Sequence, residues 1–357
     1  MKQITILLFV AMLLAGCGTA TCSASQAGEG STNSYTFLTQ LGVDVHKIPT
    51  LGSKVEFAYG DELVALTNDQ TRALLNDIYH FDTPNNDDGD MEGMFYIAGA
   101  HPVAGDRMLL LFHIEYGDGS GREMAIYDHN GRLTDFLDTG SWNSCQPNES
   151  NDDFTRGTAY HELASCEFNA QKPEFTLRRD FALSDFFITD DGTIAFDNIH
   201  WELLKDYSYT ITDDGKFRQQ NVHIEQKGPV NALALMLDAI SDLNYLPASD
   251  PSRLDQLAAL MQRADVRSDL ANPDGMATYR LQGVMQGTFE QNGTAVLHWL
   301  AGHRSSTQVI ELLKSVFASG WIPKYRMTQE LQKLPAGEER TWLERLTAQW
   351  GPDGAVG

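Results

Sequence analysis

With 49 Asp and Glu residues against 26 Lys and Arg residues, this chain of 357 residues carries a formal net charge of −23 at pH 7. A surface of that charge repels phosphate backbones and anionic headgroups, so the composition excludes nucleic acid as an expected partner and disfavours electrostatic membrane binding. The length exceeds the usual size of a single hydrophobic core, so two domains are expected.

The first residues have the layout of a secretory signal. Lys2 precedes an apolar run from Ile4 to Leu14, and small residues then lead to Cys17. The apolar run is too short to cross a bilayer as a permanent helix. The tetrapeptide LAGC, which ends at Cys17, resembles the lipobox of bacterial lipoproteins. This resemblance covers only the first seventeen residues.

The lipoprotein resemblance implies a location. Residues 1–16 would be removed as a signal peptide, and Cys17 would then carry acyl chains, palmitate among them, that enter the lipid bilayer. Gly18 follows the cysteine, and this implies the outer membrane of the cell envelope rather than the inner membrane. A plain secretory signal in which Cys17 is an ordinary residue remains the alternative. Residues 17–34 are rich in Ser, Thr, Gly and Ala, and this composition predicts a flexible tether.

Residues 35–227 are predicted to form an antiparallel β domain. An early helix is expected within LTNDQTRALLNDIY, capped by Thr67 or Asn68. Apolar runs at FYIAGA, RMLLLFHIEYG and REMAIYD, separated by Gly and Asp, then predict a meander of strands.

Two later segments repeat each other at an offset of 23 residues, ITDDGTIAFDNIHWE and ITDDGKFRQQNVHIE, which begin at Ile188 and Ile211. Each contains Asp-Asp-Gly between strand-like runs, and this predicts two tight hairpin turns. A third such turn is expected around Asp128 and Gly131. The repeat also implies a strand near residues 207–212 that separates the two copies.

After Gly228 the hydrophobic period changes from two to 3.6, which predicts helices. Residues 228–350 are therefore expected to form a separate all-α domain, and residues 351–357 a disordered tail. The predicted fold class is α+β, with an antiparallel β-sheet meander or sandwich followed by this helical domain.

Four cysteines are present, and Cys17 is assigned to lipid. Disulfides persist outside the cytoplasm, so Cys145 and Cys166 are predicted to form one. Separate thiols at these two positions remain the alternative.

The segment FLDTGSW resembles the active-site signature of aspartic proteases, with Asp138 in the place of the catalytic carboxylate. Such proteases need a second Asp-Thr-Gly, and the chain contains no other copy, so a dimer would have to supply it. The other interpretation is that Asp138 lies where a hairpin strand ends.

His200 and Glu202, with His223 and Glu225, form a repeated His-x-Glu pattern that offers candidate metal ligands. A strand between the two copies would place them about 10 Å apart, which is too far for one ion. We therefore expect neither a metal site nor another cofactor. The acidic loop at residues 85–92 has the composition, but not the spacing, of a calcium loop.

No catalytic constellation emerges from these motifs. The sequence therefore predicts a non-enzymatic lipoprotein of binding or assembly type, with an envelope protein as its expected partner. An envelope hydrolase, in the form of an aspartic peptidase that uses Asp138, is the alternative.

Overall fold

The computed structural model describes residues 36–51, 63–79, 93–116, 119–142, 144–151, 154–169, 172, 174–190, 192, 194–229, 232–247, 249–250, 252–270, 276–307, 309–312, 322 and 324–348. Cys17, Cys22, the predicted tether and the acidic loop at 85–92 lie outside these ranges. Residues 33–357 belong to one compact unit.

Within the described ranges, ten strands form two antiparallel sheets of five strands each. The first sheet has the order β1-β2-β3-β4-β5 and contains Val64–Ala65, Phe95–Val103, Arg107–Tyr116, Gly119–Tyr127 and Leu133–Trp142. The second sheet has the order β10-β9-β8-β7-β6. From β6 to β10, its strands are Ser144–Ser150, Arg156–Asn169, Glu174–Ile188, Ile194–Ile211 and Phe217–Lys227. Both sheets are meanders, as the sequence predicts.

Two described helices precede most of the sheet residues, and the others follow β10. From α1 to α8, they are Thr36–Gln40, Asn68–Tyr79, Ala232–Ser241, Ser252–Gln262, Ala264–Leu270, Met276–Gly302, Lys324–Lys333 and Glu338–Ala348. A 3-10 turn, Asp242–Tyr245, continues α3. No described helix is both long enough and apolar enough to span a membrane. Helices and antiparallel sheets together confirm the α+β class.

Local sequence signals explain the ends of these elements. Thr67 accepts a hydrogen bond from the Gln70 amide through its hydroxyl, and the Gln70 side chain accepts one from the Thr67 amide, which is a reciprocal capping box. At the turn between β9 and β10, Gly215 has a φ of +74° and donates its N–H to the Thr212 carbonyl. The predicted hairpin turns are therefore confirmed.

The first sheet is covered on both faces. One face packs against α1 and α2, whose buried side chains include Phe37, Leu74 and Ile78. The other face packs against the second sheet, where Leu109 and Leu137 share a core with residues of β7 to β10. Burial on both faces fixes the register of the meander, because a shift by one residue would exchange the two cores.

One face of the second sheet is shared between two partners. Tyr207 and Tyr209 of β9 pack in the core against the first sheet, whereas Trp201 and Leu203 of the same strand pack against the helices. These four residues have the same parity and so lie on one face. The helices after residue 228 therefore share a core with the sheet, and their separation into a domain of their own is not confirmed.

The second sheet also separates the two cysteines for which a disulfide is predicted. Cys145 lies opposite His161 in the β6–β7 register, five positions along β7 from Cys166. Five residues of strand span about 16 Å, whereas a disulfide requires Cα atoms less than about 7 Å apart. The disulfide would need a different register of β6. It stays a prediction, and titration of the free thiols would test it.

Candidate functional site

Asp138 lies within β5. The interpretation that places it at the end of a hairpin strand is therefore wrong. It pairs across the ladder with Glu123 of β4. Its charge acts on Tyr209 and Tyr245, whose hydroxyl pKa values are raised mainly by burial and further by this carboxylate. Asp138 does not line the cleft described below. The peptidase interpretation still requires a dimer that brings two copies together, and it stays a hypothesis.

The repeated His-x-Glu pairs lie on neighbouring strands, which corrects the prediction that a strand separates them. β9 is one strand of 18 residues, and β10 pairs with it directly. The two pairs are nevertheless displaced along the ladder, because His223 lies opposite Asp206, six positions from His200.

Each member of these pairs has a nearby partner. His200 contacts Asp185 at 2.6 Å. Lys227 forms an ion pair with Glu202 at 2.5 Å, and His223 lies 3.7 Å from Glu225. In the part of the chain that the structure describes, no group of three His, Cys, Asp or Glu residues is arranged to hold a metal ion. The structure does not bring the candidate ligands together.

A set of charged side chains lies where the helices meet the second sheet, and Arg179, Lys205 and Asp238 among them are buried. This ion cluster consists of Glu162, Arg179, Lys205, Asp238 and Asp242. Arg179 and Lys205 lie opposite each other on β8 and β9. Arg179 contacts Glu162 at 2.9 Å and Asp238 at 2.6 Å, and Lys205 contacts both Asp238 and Asp242 at 2.6 Å.

Two tyrosines complete the ion cluster. Tyr207 donates a hydrogen bond to Asp242 at 2.5 Å, and Tyr245 donates one to Glu162. Burial raises the pKa of Glu162, but the charge and hydrogen bonds of Arg179 outweigh that effect and hold it below its ordinary value. Every carboxylate of the cluster is thus paired with a cation, and the cluster joins α3 and the following turn to the sheet.

A cleft of about 560 Å³ lies at the junction of the first sheet and the helices. Its walls come from α2, the start of β5, the β9–β10 turn, the loop at Ser249, the middle of α6, and α7. This volume falls within the range of about 300 to 1,000 Å³ that small-molecule sites occupy. The polar cleft is lined by Asn76, Asp77, Ile78, Leu133, Thr134, Asp135, Phe136, Lys216, Ser249, Asn292, Gly293, Thr294, Arg326, Glu330 and Lys333.

Asp135 is a buried acid in the lining of the polar cleft. The hydrogen bonds that its carboxylate accepts come from the protein itself. It accepts hydrogen bonds from the amides of Phe136, Phe217 and Ser249 and from the Ser249 hydroxyl, at 2.8 to 3.1 Å. Burial raises the pKa of Asp135 in spite of these bonds. The carboxylate therefore holds three chain segments together in the lining of the cleft.

Glu330 is a second buried acid with internal partners. Its carboxylate accepts from Lys333 at 2.6 Å and from the Thr294 hydroxyl at 2.8 Å. At Gly293, α6 lies close to α7. A Cβ at this position would lie only 2.6 Å from the Glu330 side chain. The preceding Asn292 leaves helical geometry, with φ −152° and ψ 65°, and its side chain accepts from the Ala295 amide. A new helical segment thus begins at the cleft wall.

Three cationic side chains reach the polar cleft from two elements. Lys216 comes from the β9–β10 turn and donates to the Thr134 carbonyl. Arg326 and Lys333 come from α7. An ammonium group has three donors and a guanidinium has five, so these groups can also donate to a ligand. The same cleft also contains three acids, Asp77, Asp135 and Glu330.

The sequence offers no signal for either the ion cluster or the polar cleft. Their members are separated by up to about 260 positions and belong to no motif, so only the tertiary fold brings them together. The one local hint is Gln291-Asn292-Gly293, a turn-like tripeptide inside a helical pattern.

No known protein family matches the chain, and no curated protein is significantly similar to it.

Proposed function

We propose that this protein is a lipid-anchored binding protein of the cell envelope whose polar cleft holds a small ligand with a carboxylate. The observation that carries the proposal is the convergence of Lys216, Arg326 and Lys333 on a cleft of ligand size. Arg and Lys form charge-assisted hydrogen bonds with carboxylates, and these bonds are stronger than neutral ones.

The acids of the cleft support this choice of ligand charge. Asp135 accepts four hydrogen bonds from the protein, and Glu330 accepts two, one of them from Lys333, so both acids already have internal donors. Asp77 is an acidic group on the α2 wall, where an N–H or O–H donor of the ligand would meet it. An acidic sugar or the C-terminal carboxylate of a peptide has this combination. An envelope protein that presents such a peptide end would be the macromolecular partner.

The anchor is the part of the proposal that rests on the lipobox at Cys17. The test is detergent-phase partition of the full-length chain expressed in bacterial cells. We expect Cys17→Ala to move the protein to the aqueous phase, because no acyl chain can then be attached. Cys22→Ala is the matched control and should stay in the detergent phase. A Cys17→Ala protein that still partitions with membranes would refute the anchor.

The ligand class is tested by calorimetric titration of the chain from residue 33, which is the compact unit. The probes are two matched pairs, glucuronate with glucose and an acetylated dipeptide with its C-terminal amide. We expect at least one acid to bind and its neutral counterpart to bind at least about tenfold more weakly.

Variants of the cleft locate that binding. Lys216→Ala and Arg326→Ala should each weaken binding of the acid by about tenfold. Arg340→Ala is the control, since Arg340 pairs with Glu344 on α8 and does not line the cleft. Equal binding of acid and neutral probes, or unchanged binding by both cleft variants, would overturn the proposed ligand class.

A further inference from the structure

The second sheet ends at β10, whose outer edge has no neighbouring strand in the described ranges. Every residue of β10 from 221 to 227 is exposed. Two of them are apolar, Val222 at 40% and Ile224 at 55% exposure. Exposed edges present unpaired N–H and C=O groups, and soluble proteins usually cover or interrupt them. A β-bulge between Gln219 and Asn221 precedes the segment and Lys227 ends it, but residues 222–226 between them contain no bulge, Pro or Lys.

The β9 register assigns the two faces of this edge. Val222 lies opposite Tyr207 and Ile224 opposite Lys205, so both apolar residues lie on the face that carries the ion cluster. His223 lies opposite Asp206 and therefore shares the other face with Glu225. The edge thus has an apolar row on one face and an alternating charged row on the other.

We propose that β10 pairs with β10 of a second copy of this chain, antiparallel and centred on Ile224. With a twofold axis at that residue, the second sheets of the two copies, each of five described strands, join into one sheet of ten strands. Centred pairing places Ile224 opposite Ile224 and Val222 opposite Gln226 on the apolar face. On the other face, it places His223 opposite Glu225 twice and Asn221 opposite Lys227 twice.

Charge favours this register over the neighbouring one centred on Glu225. An imidazole N–H donates to a carboxylate whether or not the ring is protonated, so both His223 and Glu225 gain a cross-strand partner. Centring one position further, on Glu225, would oppose the two Glu225 carboxylates, which is unfavourable. The contact also removes from water the apolar surface that Val222 and Ile224 expose.

The expected dimer is weak in dilute solution, because one strand edge buries less area than a stable interface. Copies confined to one membrane would meet at a higher effective concentration, which would favour the contact there. The inference does not depend on the proposed ligand, since the polar cleft and this edge have no residue in common.

The test is sedimentation of the compact unit from residue 33, from about 1 µM to about 1 mM. We expect a concentration-dependent dimer in the wild-type chain. Ile224→Asp places two carboxylates opposite each other and should raise the dissociation constant at least about tenfold. Ile199→Asp is the control, because Ile199 is 60% exposed on β9 and does not belong to β10.

A charge exchange tests the register separately. Glu225→Lys alone should weaken the dimer, and the double variant His223→Glu with Glu225→Lys should restore it, because Glu and Lys then face each other. A monomer at every concentration, a dimer that survives Ile224→Asp, or a double variant without recovery would overturn the proposal. If Ile224→Asp does not fold by circular dichroism, the charge exchange decides alone.

Discussion

Arg178 and Arg179 are adjacent in sequence but lie on opposite faces of β8. The Arg178 side chain is 61% exposed and contacts Asp206 across the strand at 2.7 Å. The Arg179 side chain is 1% exposed and belongs to the ion cluster. An exposed ion pair contributes little to stability, whereas removal of one member of a buried set leaves charges in a medium that cannot solvate them.

Replacement of these two arginines by methionine tests that contrast. Arg179→Met should lower the free energy of unfolding by about 3 to 5 kcal/mol, because Glu162 and Asp238 lose a buried cation. Arg178→Met should cost less than about 1 kcal/mol. Urea unfolding of both variants measures the difference. Similar midpoints for the two would show that the cluster does not hold the helices to the sheet.

His161 and Asp180 have pKa values that are displaced in opposite ways. Burial lowers the pKa of His161 to about 4. Burial, with the nearby charge of Glu202, raises the pKa of Asp180 to about 6. Between pH 4 and 6 the folded chain holds a proton on Asp180 that the unfolded chain lacks, and it lacks one on His161 that the unfolded chain holds. The two contributions to stability therefore oppose each other as the pH falls.

Substitution separates the two contributions. As the pH falls from 7 to 4, the stability of Asp180→Asn should decline more than that of the wild type, because the opposing contribution of Asp180 is lost while the His161 penalty remains. The stability of His161→Gln should decline less than the wild type or rise. Each difference should reach about 2 kcal/mol. Denaturant midpoints measured across this range provide the data, and curves parallel to the wild type would contradict both pKa displacements.

Sequence alternation at the residue scale predicts which side chains share a strand face, but it does not predict their partners. His113 illustrates this limit. It has the same His-x-Glu spacing as His200, yet it is buried and contacts its own Glu115 at 2.5 Å, whereas His200 contacts Asp185 of another strand. Strand pairing decides these contacts, and pairing depends on residues far apart in the chain.

At the scale of elements, the tight turns are predictable because their chemistry is local. Gly131, Gly192 and Gly215 all have positive φ and all close hairpins that the sequence places correctly. The prediction of a separate strand between the copies of the repeat, near residues 207–212, was wrong. The run after the first turn and the run before the second are parts of one strand, β9, because 18 residues continue through its irregularities without a break.

Two of these turn glycines differ in their surroundings, which gives a matched comparison. A Cβ at Gly131 would lie 2.9 Å from the Phe37 ring of α1, whereas a Cβ at Gly192 would have no atom within 4 Å. Gly192→Ala should cost about 1 kcal/mol for its left-handed backbone alone. Gly131→Ala should cost roughly 1 kcal/mol more, since Phe37 must move. Thermal unfolding measures both, and equal losses would mean that α1 does not pack on the turn.

At the scale of the whole molecule, the sequence predicts the α+β class but not the joint core of helices and sheet. The change of hydrophobic period at Gly228 marks a real change of secondary structure. Period alone cannot show that Trp201 and Leu203 share a core with the helices, because that contact depends on the fold of both parts. The same long-range packing forms the polar cleft.

The proposed function therefore depends on where a ligand binds. Hydrogen exchange of the compact unit, compared with and without the tightest-binding acidic probe, tests this most directly. We expect slower exchange at residue 216, at residues 292–295 and along α7, with no change in β10. Unchanged exchange at all three cleft segments, or protection confined to another surface, would contradict the assignment of the polar cleft as the binding site.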